Sequence, residues 1–530
     1  MLGWFVNKIK AAMGKNGKNL TPTRPKDCLS RDLNQNLARI GDAFGQSPDL
    51  IVRKFTIDMG GGWDAAVVYI DGLADQTIIN DHILRPLMVD TVKLSTNHAM
   101  GHPAKDLLWI EDHLITANNL FRIDALDEAI DAVLKGDTVL LVRDFTEALQ
   151  ISSKGWEKRA ISEPETEIVV RGARDGFIEN LRTNTALLRR KIADPNLTFE
   201  SMRVGRKTRT DLSIAYIRGI AREDLVAEVR RRIRRIDTDA ILDTGYINEF
   251  IQDAPFSIFA TMLSTERPDV AAAKLLEGRV AIMVDGTPAV YTAPALFMEI
   301  FQSPDDYSHR PFYATVVRWF RFLAFTFTVF LPAFYVALTT FHQELIPTPL
   351  LITIAAATEG IPFPAVIEVL VMGAIFEILR EAGIRIPRSY GPAVSIVGGL
   401  VIGEAAVGAG LVGEPTVIVT ALTAIASYVS PLQLEAGTFL RFGLAILAGV
   451  FGLLGILNGT ILVLIHLASL RSFGVPSLSP LAPLIGGDLK DILIRAPQWA
   501  LLTRPRSLEP KDQVRQKFGS RPKPPDKNDE

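Results

Sequence analysis

The stretch PRSYGPAVSIVGGLVIGEAAVGAGLVGEPTVIVTALTAIASYVSP, residues 387–431, decides the fold class. Residues 393–412 carry a single charge, Glu404, and residues 415–431 carry none. Glycine and alanine are abundant here, although glycine costs a soluble helix about 1 kcal/mol relative to alanine. Small residues are useful where helices approach closely in lipid, and Gly399 and Gly403 have the small-xxx-small spacing. The stretch therefore predicts the working part of a membrane protein.

The 530-residue chain changes composition along its length, which predicts a multidomain protein. Its front is charged and mixed, its middle is mostly apolar, and its end is basic and proline-rich. We predict a soluble α/β part with two small subdomains, followed by an all-α helical transmembrane domain. The predicted segments are a mobile N-terminal tail (1–47), α/β subdomains (48–156 and 157–311), a membrane domain (312–472) and a basic, proline-rich cytosolic tail (473–530).

Alternating and helical apolar patterns carry the α/β prediction for the front of the chain. In the first subdomain they predict strands at 51–57, 65–70 and 138–143 and helices at 77–88 and 121–135. In the second they predict strands at 167–171, 197–204, 213–218, 280–284 and 289–291, with helices at 224–236 and 269–277.

No motif in the front part indicates catalysis. The GxxxxGK[ST] spacing of a phosphate loop is missing, and the seven histidines show no HExxH or other ligand spacing. A single cysteine, Cys28, excludes both an intrachain disulfide framework and a thiolate cluster. The arginine-rich run 230–235 is interpreted as a solvated helix face balanced by nearby carboxylates rather than a nucleic-acid or lipid site. We predict no metal, no cofactor and no enzyme, but a binding or coupling module.

The membrane topology is predicted from the apolar runs and the charges that flank them. Residues 322–341 are long enough to span, and Arg318 and Arg321 before them place the front domain in the cytosol. Proline-broken residues 348–364 predict an interfacial or re-entrant segment. The final apolar run, 442–470, has Gly452, Gly455 and Gly459 down one side, which predicts helix packing. If every run crosses, five crossings put the basic tail outside, so we predict four spans plus a half-inserted segment within 393–431.

Several membrane carboxylates are candidates for an ion path. Glu404 lies deep among small residues, where it faces either a polar path or a neighbouring helix. Glu368 is the second candidate, because Glu377 has Arg380 one turn later and predicts a structural ion pair. Glu414, beside Pro415, is interpreted as a solvated turn carboxylate or helix cap.

Long strings of the chain resemble the A-subunit family of GerA-type spore germination receptors. They include EPETEIVVRGARDGFIENLRTNTALLRRKI (163–192), FSIFATMLSTERPDVAAAKLLEGRVAIMVDGTPAV (256–290), EGIPFPAVIEVLVMGAIFEILREAGIRIPR (359–388) and AVSIVGGLVIGEAAVGAGLV (393–412). The resemblance implies a protein of the dormant spore's inner membrane. It further implies a transporter-like B subunit that receives the nutrient, a C lipoprotein, and a homo-oligomeric ring that conducts ions.

Two function classes follow, and a third is weaker. The chain is either a channel-forming subunit that conducts through residues 393–412 of several copies, or a non-conducting scaffold that couples the signal. An independent secondary transporter is less expected, because such folds often contain internal repeats and residues 312–472 show none. In the first class Gly399 and Gly403 pack neighbouring subunits while Glu404 faces a central path.

Overall fold

A computed structural model describes residues 27–58, 62–91, 107–117, 119–155, 163–164, 167, 169, 171–385, 391–429, 434–517, 519 and 521–522. For residues 391–398 and 400 it describes the backbone alone. The chain forms two compact units, Met1–Trp156 and Glu157–Glu530. Most of the predicted N-terminal tail and the first residues of the stretch 387–431, up to Tyr390, lie outside the described residues.

The first unit is a five-stranded antiparallel sheet with helices against it, in the strand order β1-β2-β4-β5-β3. Helix α1 buries Leu33, Leu37 and Ile40, so residues 27–47, which the sequence assigned to the tail, belong to this unit. Its elements are α1 (Leu33–Ala43), β1 (Leu50–Ile57), β2 (Trp63–Ile70), α2 (Gln76–Ile78, continued by π-helical Ile79–Leu84 and Pro86–Asp90), α3 (Leu107–His113), β3 (Leu120–Ile123), α4 (Leu126–Leu134), β4 (Thr138–Val142) and β5 (Ala148–Ile151).

The second unit begins with another five-stranded antiparallel sheet, in the order β6-β7-β9-β10-β8. We call this sheet and its helices the second α/β subdomain. Its elements are α5 (Leu181–Lys191), β6 (Leu197–Val204), β7 (Thr210–Ile217), α6 (Glu223–Arg234), α7 (Thr244–Ile251), β8 (Leu263–Thr265), α8 (Pro268–Leu276), β9 (Val280–Val284) and β10 (Val290–Ala293). The fold class predicted for the front of the chain is confirmed.

The two sheets have one topology. Numbered within its own subdomain, each runs 1-2-4-5-3, with a helix before strand 1 and another between strands 3 and 4. The first hairpins pair in the same register, Leu50 with Ile70 and Leu197 with Ile217. Both hairpins then turn at a glycine with positive φ, Gly72 (85°) and Gly219 (79°), within the shared pattern Tyr-Ile-x-Gly. The α/β part is therefore an internal repeat.

The same pair of hydrogen bonds, made by a buried asparagine side chain, occurs at the first helix of each subdomain. The Asn36 amide donates to Ser30 O at 2.6 Å and accepts from Ser30 N at 2.9 Å. The Asn184 amide makes the same pair with Ile178, at the same two distances. Both asparagines lie four residues after a capping Asp32 or Asn180. A buried amide with both ends satisfied fixes how the chain enters the helix.

Several elements differ from the sequence prediction. The sequence predicted one helix over 121–135, whereas the structure has strand β3 followed by helix α4. The prediction included the short alternating stretch 121–123 in the helix that follows it. Strands β5 and β8 and helix α7 are short and were not predicted. The strand predicted at 167–171 lies partly outside the described residues, and its described positions form no strand.

A helical bundle follows the second α/β subdomain. Two of its helices, Pro311–Thr340 and Leu434–Ser469, are long and apolar enough to cross a membrane. Between them lie shorter helices, including the predicted interfacial piece. The elements are α9 (Asp305–Ser308), α10 (Pro311–Thr340), α11 (Thr348–Thr358), α12 (Ala365–Arg385), α13 (Gly391–Gly408), α14 (Glu414–Tyr428) and α15 (Leu434–Ser469).

Helix α15 is bent back on itself at Gly452. The backbone there (φ 59°, ψ −140°) is open almost only to glycine. A Cβ on Gly455 would lie 2.1 Å from Leu447 O, and one on Gly459 would lie 2.5 Å from Leu444 Cδ2. In a straight helix residues 444 and 459 would be about 22 Å apart. The final apolar run, expected as one span, is therefore a tight hairpin of residues 434–451 and 453–469.

This hairpin changes the count of helices that run along the bundle. We call the end next to the second α/β subdomain proximal and the end near Thr340 and Gly452 distal. Contacts of Gly437 with Thr328, and of Gly452 with Phe341, show that residues 434–451 run beside α10 in the same direction. Helices α10, α13 and 434–451 run distally, whereas α12, α14 and 453–469 run back. Six runs connect the subdomain to the C-terminal segment, whereas the sequence predicted four spans and a half-inserted segment within 393–431.

The C-terminal segment (471–517) packs on the second α/β subdomain. Ser472 Oγ donates to Thr261 O at 2.6 Å, and Lys511 N donates to Ile220 O at 3.0 Å. In the first unit the residue that corresponds to Ile220, Leu73, accepts instead from Gly155 N, just beyond β5. The segment predicted as a tail thus supplies the second subdomain with a contact that the first subdomain makes with the residues just after its own last strand.

Candidate functional site

An open groove lies between helices α12, α13 and α14 of the bundle. Its volume is about 1020 Å³, and most of its lining is apolar. Charged side chains lie at its two ends, Arg380 at the proximal end and Glu404 and Glu414 at the distal end. The remaining lining includes Phe376, Gly399, Gly403, Ile418 and Tyr428.

Glu404 is exposed on α13, one turn before that helix ends at Gly408. The carboxylate is thus about 6 Å from the helix end along the axis, not at its centre as the sequence suggested. Glu414 is also exposed and opens α14, where a negative charge suits the helix dipole. Two carboxylates therefore line the distal end of one groove.

The small residues of α13 have different neighbours. A Cβ on Gly403 would lie 3.6 Å from Val417 Cγ1 of α14, so this glycine is buried within the chain. Gly399 is exposed, and neither it nor Gly408 has a protein atom within 4 Å of its Cβ position. Gly399 shares a face with Gly403, four residues away, where the groove is open, whereas Gly408 lies about 140° around the helix from Gly403.

Glu368, the second predicted ion-path residue, is buried in the bundle at 3% exposure. Its Oε2 accepts from Gly413 N at 2.8 Å and from Thr416 Oγ1 at 3.0 Å. Tyr335 of α10 lies 3.2 Å from the same threonine hydroxyl. A carboxylate that accepts from the first turn of α14 caps that helix and ties α12, α14 and α10 together.

Glu377 contacts Arg380 on its own helix and Arg441 of α15 at 2.5 Å. Arg441 is almost fully buried, at 5% exposure. Through this pair it lies at the level of the proximal half of α12. The spacing of Glu377 and Arg380 suggested one partner, whereas the second partner is 64 residues away and had no sequence signal.

A second cluster of charge lies where α10 leaves the second α/β subdomain. Arg318 and Arg321 both bind the buried Asp306, at 3.0 and 2.8 Å. Arg318 also reaches Asp491 of the C-terminal segment, which accepts from Tyr307 Oη at 3.0 Å. Burial, together with the nearby Glu277 carboxylate, raises the pKa of Asp491 to about 6 despite Arg318. The two arginines predicted to mark the inner membrane boundary thus fasten α10 to the segment just before it, and Arg318 also fastens it to the C-terminal segment.

Sequence reasoning also missed a buried ion pair within the second α/β subdomain. Arg279, 1% exposed, binds Glu299 with two nitrogens and donates to Pro294 O at 2.6 Å. Burial alone would raise the pKa of Glu299, but Arg279 and Lys274 outweigh it and lower that pKa. Among the described residues, no group of three or more His, Cys, Asp or Glu side chains is placed to hold a metal ion.

Comparison with known proteins covers nearly the whole chain. A family model described as "Bacillus/Clostridium GerA spore germination protein" matches residues 38–507. Spore germination protein KA of Bacillus subtilis is 45% identical, over 94% of this chain and 90% of its own. "Uncharacterized membrane protein YfkQ" of the same organism is 40% identical, over 90% of this chain and 91% of its own.

Two further relatives bear on the family. Spore germination protein GerLA of Bacillus cereus is 39% identical, over 91% of this chain and 97% of its own. The crystal structure of the N-terminal domain of the A subunit of the Bacillus megaterium spore germinant receptor GerK3 is 37% identical. It covers 52% of this chain and 99% of its own, with a TM-score of 0.41. The extent of the family match and the identity of full-length relatives show that this chain belongs to the GerA family of spore germination proteins.

Proposed function

We propose that this chain is the ion-conducting A subunit of a nutrient-responsive germination receptor. In this proposal several copies form a ring in the spore inner membrane, with both α/β subdomains in the cytosol. A transporter-like B subunit binds the nutrient, a lipoprotein C subunit completes the receptor, and the chain itself catalyses no reaction. The six runs of the bundle put the basic C-terminal segment on the same side as the second α/β subdomain, and basic segments beside membrane helices favour the cytosol.

The observation that carries the proposal is the exposed carboxylate on α13. In hydrocarbon an uncovered Glu404 would be costly, by about 3 kcal/mol or more, so a helix that exposes it is expected to face water or protein. Gly408, four residues after Glu404 and about 40° around the helix from it, has no protein atom within 4 Å of its Cβ position and leaves room for a close neighbour. A ring in which α13 lines the centre satisfies both features, and carboxylates at the distal mouth favour cations.

The groove restricts how copies can pack. Gly403 already packs on Val417 within the chain, so of the predicted pair of packing glycines it is Gly399 that leaves space for a neighbouring copy. Glu368 is engaged in capping α14, and we assign it to holding the bundle together rather than to the ion path. Glu404 and Glu414 remain the carboxylates expected to meet the ion.

The test is ion flux through the purified full chain in liposomes. We expect cation-selective flux, reduced selectivity in Glu404→Gln and strong suppression in Glu404→Lys, with oligomer size unchanged in each. Glu381→Gln is the matched control, since Glu381 is an exposed carboxylate on α12 that pairs with Arg385 and lies outside the groove. Unchanged ion preference in Glu404→Lys would remove this residue from the path, and no flux from any form would favour the scaffold alternative.

A further inference from the structure

Four large apolar side chains are exposed near the proximal end of the bundle, and they come from separate segments. Phe256 is in the loop between α7 and β8, Phe312 is in the first turn of α10, and Leu484 and Ile494 are in the C-terminal segment. Their exposures are 99%, 89%, 72% and 60%. Single exposed apolar residues are common in soluble proteins, so their shared location is what requires an explanation.

Each of these segments is held against the end of an apolar helix. Ser257 Oγ, next to Phe256, lies 2.9 Å from His466 Nε2 in the last turn of α15. Arg495 N, next to Ile494, donates to Thr315 Oγ1 of α10 at 3.1 Å. Ser477 N donates to Leu470 O at 2.9 Å, where the segment that carries Leu484 leaves the hairpin. All four side chains thus lie about where α10 and α15 meet the second α/β subdomain.

The first turns of α10 indicate whether water or lipid surrounds this part of the protein. Arg318 and Arg321 point inward to Asp306, whereas Trp319 and Phe320 are exposed. A helix with its charges inside and its aromatic residues outside is the reverse of a helix at the surface of a soluble protein. It is typical of a segment at a membrane, where aromatic rings lie at the level of the headgroups. The bilayer is therefore expected to begin at these turns.

We propose that Phe256, Phe312, Leu484 and Ile494 form an apolar collar that inserts into the interfacial layer of the lipid bilayer. The second α/β subdomain and the C-terminal segment then lie against the membrane surface rather than apart from it. The collar requires that α10 and α15 lie in a membrane, but it does not depend on conduction or on the partner subunits. Its partner is lipid, since the collar continues the apolar surface of the two helices.

The test uses depth-dependent quenching in lipid nanodiscs. Cys28 is the only cysteine, so Cys28→Ser gives a background for single-cysteine variants labelled with an environment-sensitive fluorophore. We expect labels on Phe256→Cys and Leu484→Cys to be quenched severalfold more by lipids with a nitroxide high on the acyl chain than by aqueous iodide. Val514→Cys is the matched control: it is 62% exposed on the same segment, and we expect quenching by iodide alone.

The outcomes separate clearly. Phe256 makes little contact with the protein, so its replacement should leave the fold intact, and unchanged elution and melting verify this. Quenching of both collar labels by iodide and not by lipid would overturn the proposal. Protection from both quenchers would also overturn it, because a protein neighbour and not lipid would then cover the collar. If the full chain conducts no ions in liposomes but the collar labels are still quenched by lipid, the proposed channel is contradicted and the collar is not.

Discussion

The two α/β subdomains have the same strand order, register and helix cap, but they bury different side chains. The first has an apolar core, with residues such as Ile57, Val67 and Leu140, and it buries the carboxylates Asp49 and Asp137. The second has an apolar core too, yet it also buries Arg267 and Arg279 almost completely. Arg267 precedes helix α8, and Arg279 precedes strand β9. Among the described residues of the two repeats, buried arginine occurs in the second and not in the first.

Breaking the buried pair in the second subdomain should have the largest effect. Arg279→Met leaves Glu299 buried with Lys274 as its remaining charged partner. Removing one partner of a buried pair costs about 3–5 kcal/mol, whereas replacing both with apolar residues is often near neutral. We expect Arg279→Met to loosen the second sheet, as measured by hydrogen exchange of the full chain, and Arg279→Met with Glu299→Leu to restore most of the loss.

The control for this prediction is Arg143→Met in the first unit. Arg143 pairs with Asp64 at the surface, where both side chains are more than 40% exposed. Exposed pairs contribute about 0–1 kcal/mol, so the first sheet should be little affected. Equal losses from Arg143→Met and Arg279→Met would contradict the claim that the repeats differ in buried charge.

The repeated asparagines should behave alike. Asn36→Ala and Asn184→Ala each remove a buried amide that satisfies one N–H and one C=O. Leaving such groups without partners costs about 1–3 kcal/mol, and we expect about 2 kcal/mol in each case. Hydrogen exchange should report the loss in the first sheet for Asn36→Ala and in the second for Asn184→Ala. A large loss at one position alone would contradict the expectation that the two asparagines stabilise their subdomains equally.

Some of this architecture could be predicted from the sequence, because β1, β2, β6 and β7 are short apolar or alternating runs bounded by turn residues, which is the pattern of strands. The internal repeat was missed although a signal exists, since Tyr-Ile-x-Gly occurs at Gly72 and again at Gly219. The hairpin at Gly452 has no such signal, because a uniformly apolar run does not show which of its glycines turns the chain.

The candidate site was predicted less completely than the fold. Residue type and spacing singled out Glu404, Glu368 and the pair of Glu377 with Arg380, but they did not predict Arg441 as a partner of Glu377 or the groups that Glu368 binds. The cap that Glu368 provides depends on Gly413 N, and the C-terminal segment is held largely through backbone atoms. Backbone groups are present at every position, so their pairing cannot be inferred from residue identity.

The turn glycines give a finer comparison of the two repeats. Gly72 and Gly219 have positive φ, where an alanine is strained by about 1–2 kcal/mol. No atom lies within 4 Å of a Cβ on Gly219, so the expected loss in Gly219→Ala comes from the backbone alone. We expect about 1 kcal/mol for Gly219→Ala and for Gly72→Ala, and less for Gly219→Asn, since asparagine tolerates this conformation. Thermal unfolding of the three variants tests this; a loss from Gly219→Asn as large as that from Gly219→Ala would exclude backbone strain as the cause.

The smallest expected effect is a pH dependence that belongs to the second unit alone. Burial raises the pKa of Asp491 from 3.8 to about 6, so the folded state holds this proton more tightly than the unfolded chain. The resulting stabilisation is fully present below about pH 4 and is lost as the pH rises through about 6. Between pH 5 and pH 7 the loss is about 1 kcal/mol. Asp491→Asn keeps an oxygen for Tyr307 and the carbonyl that accepts from Arg318, but it cannot titrate. Melting of the native chain minus melting of Asp491→Asn should therefore fall from pH 5 to pH 7. If that difference is flat or rises, the Arg318 guanidinium governs the carboxyl of Asp491, and burial does not.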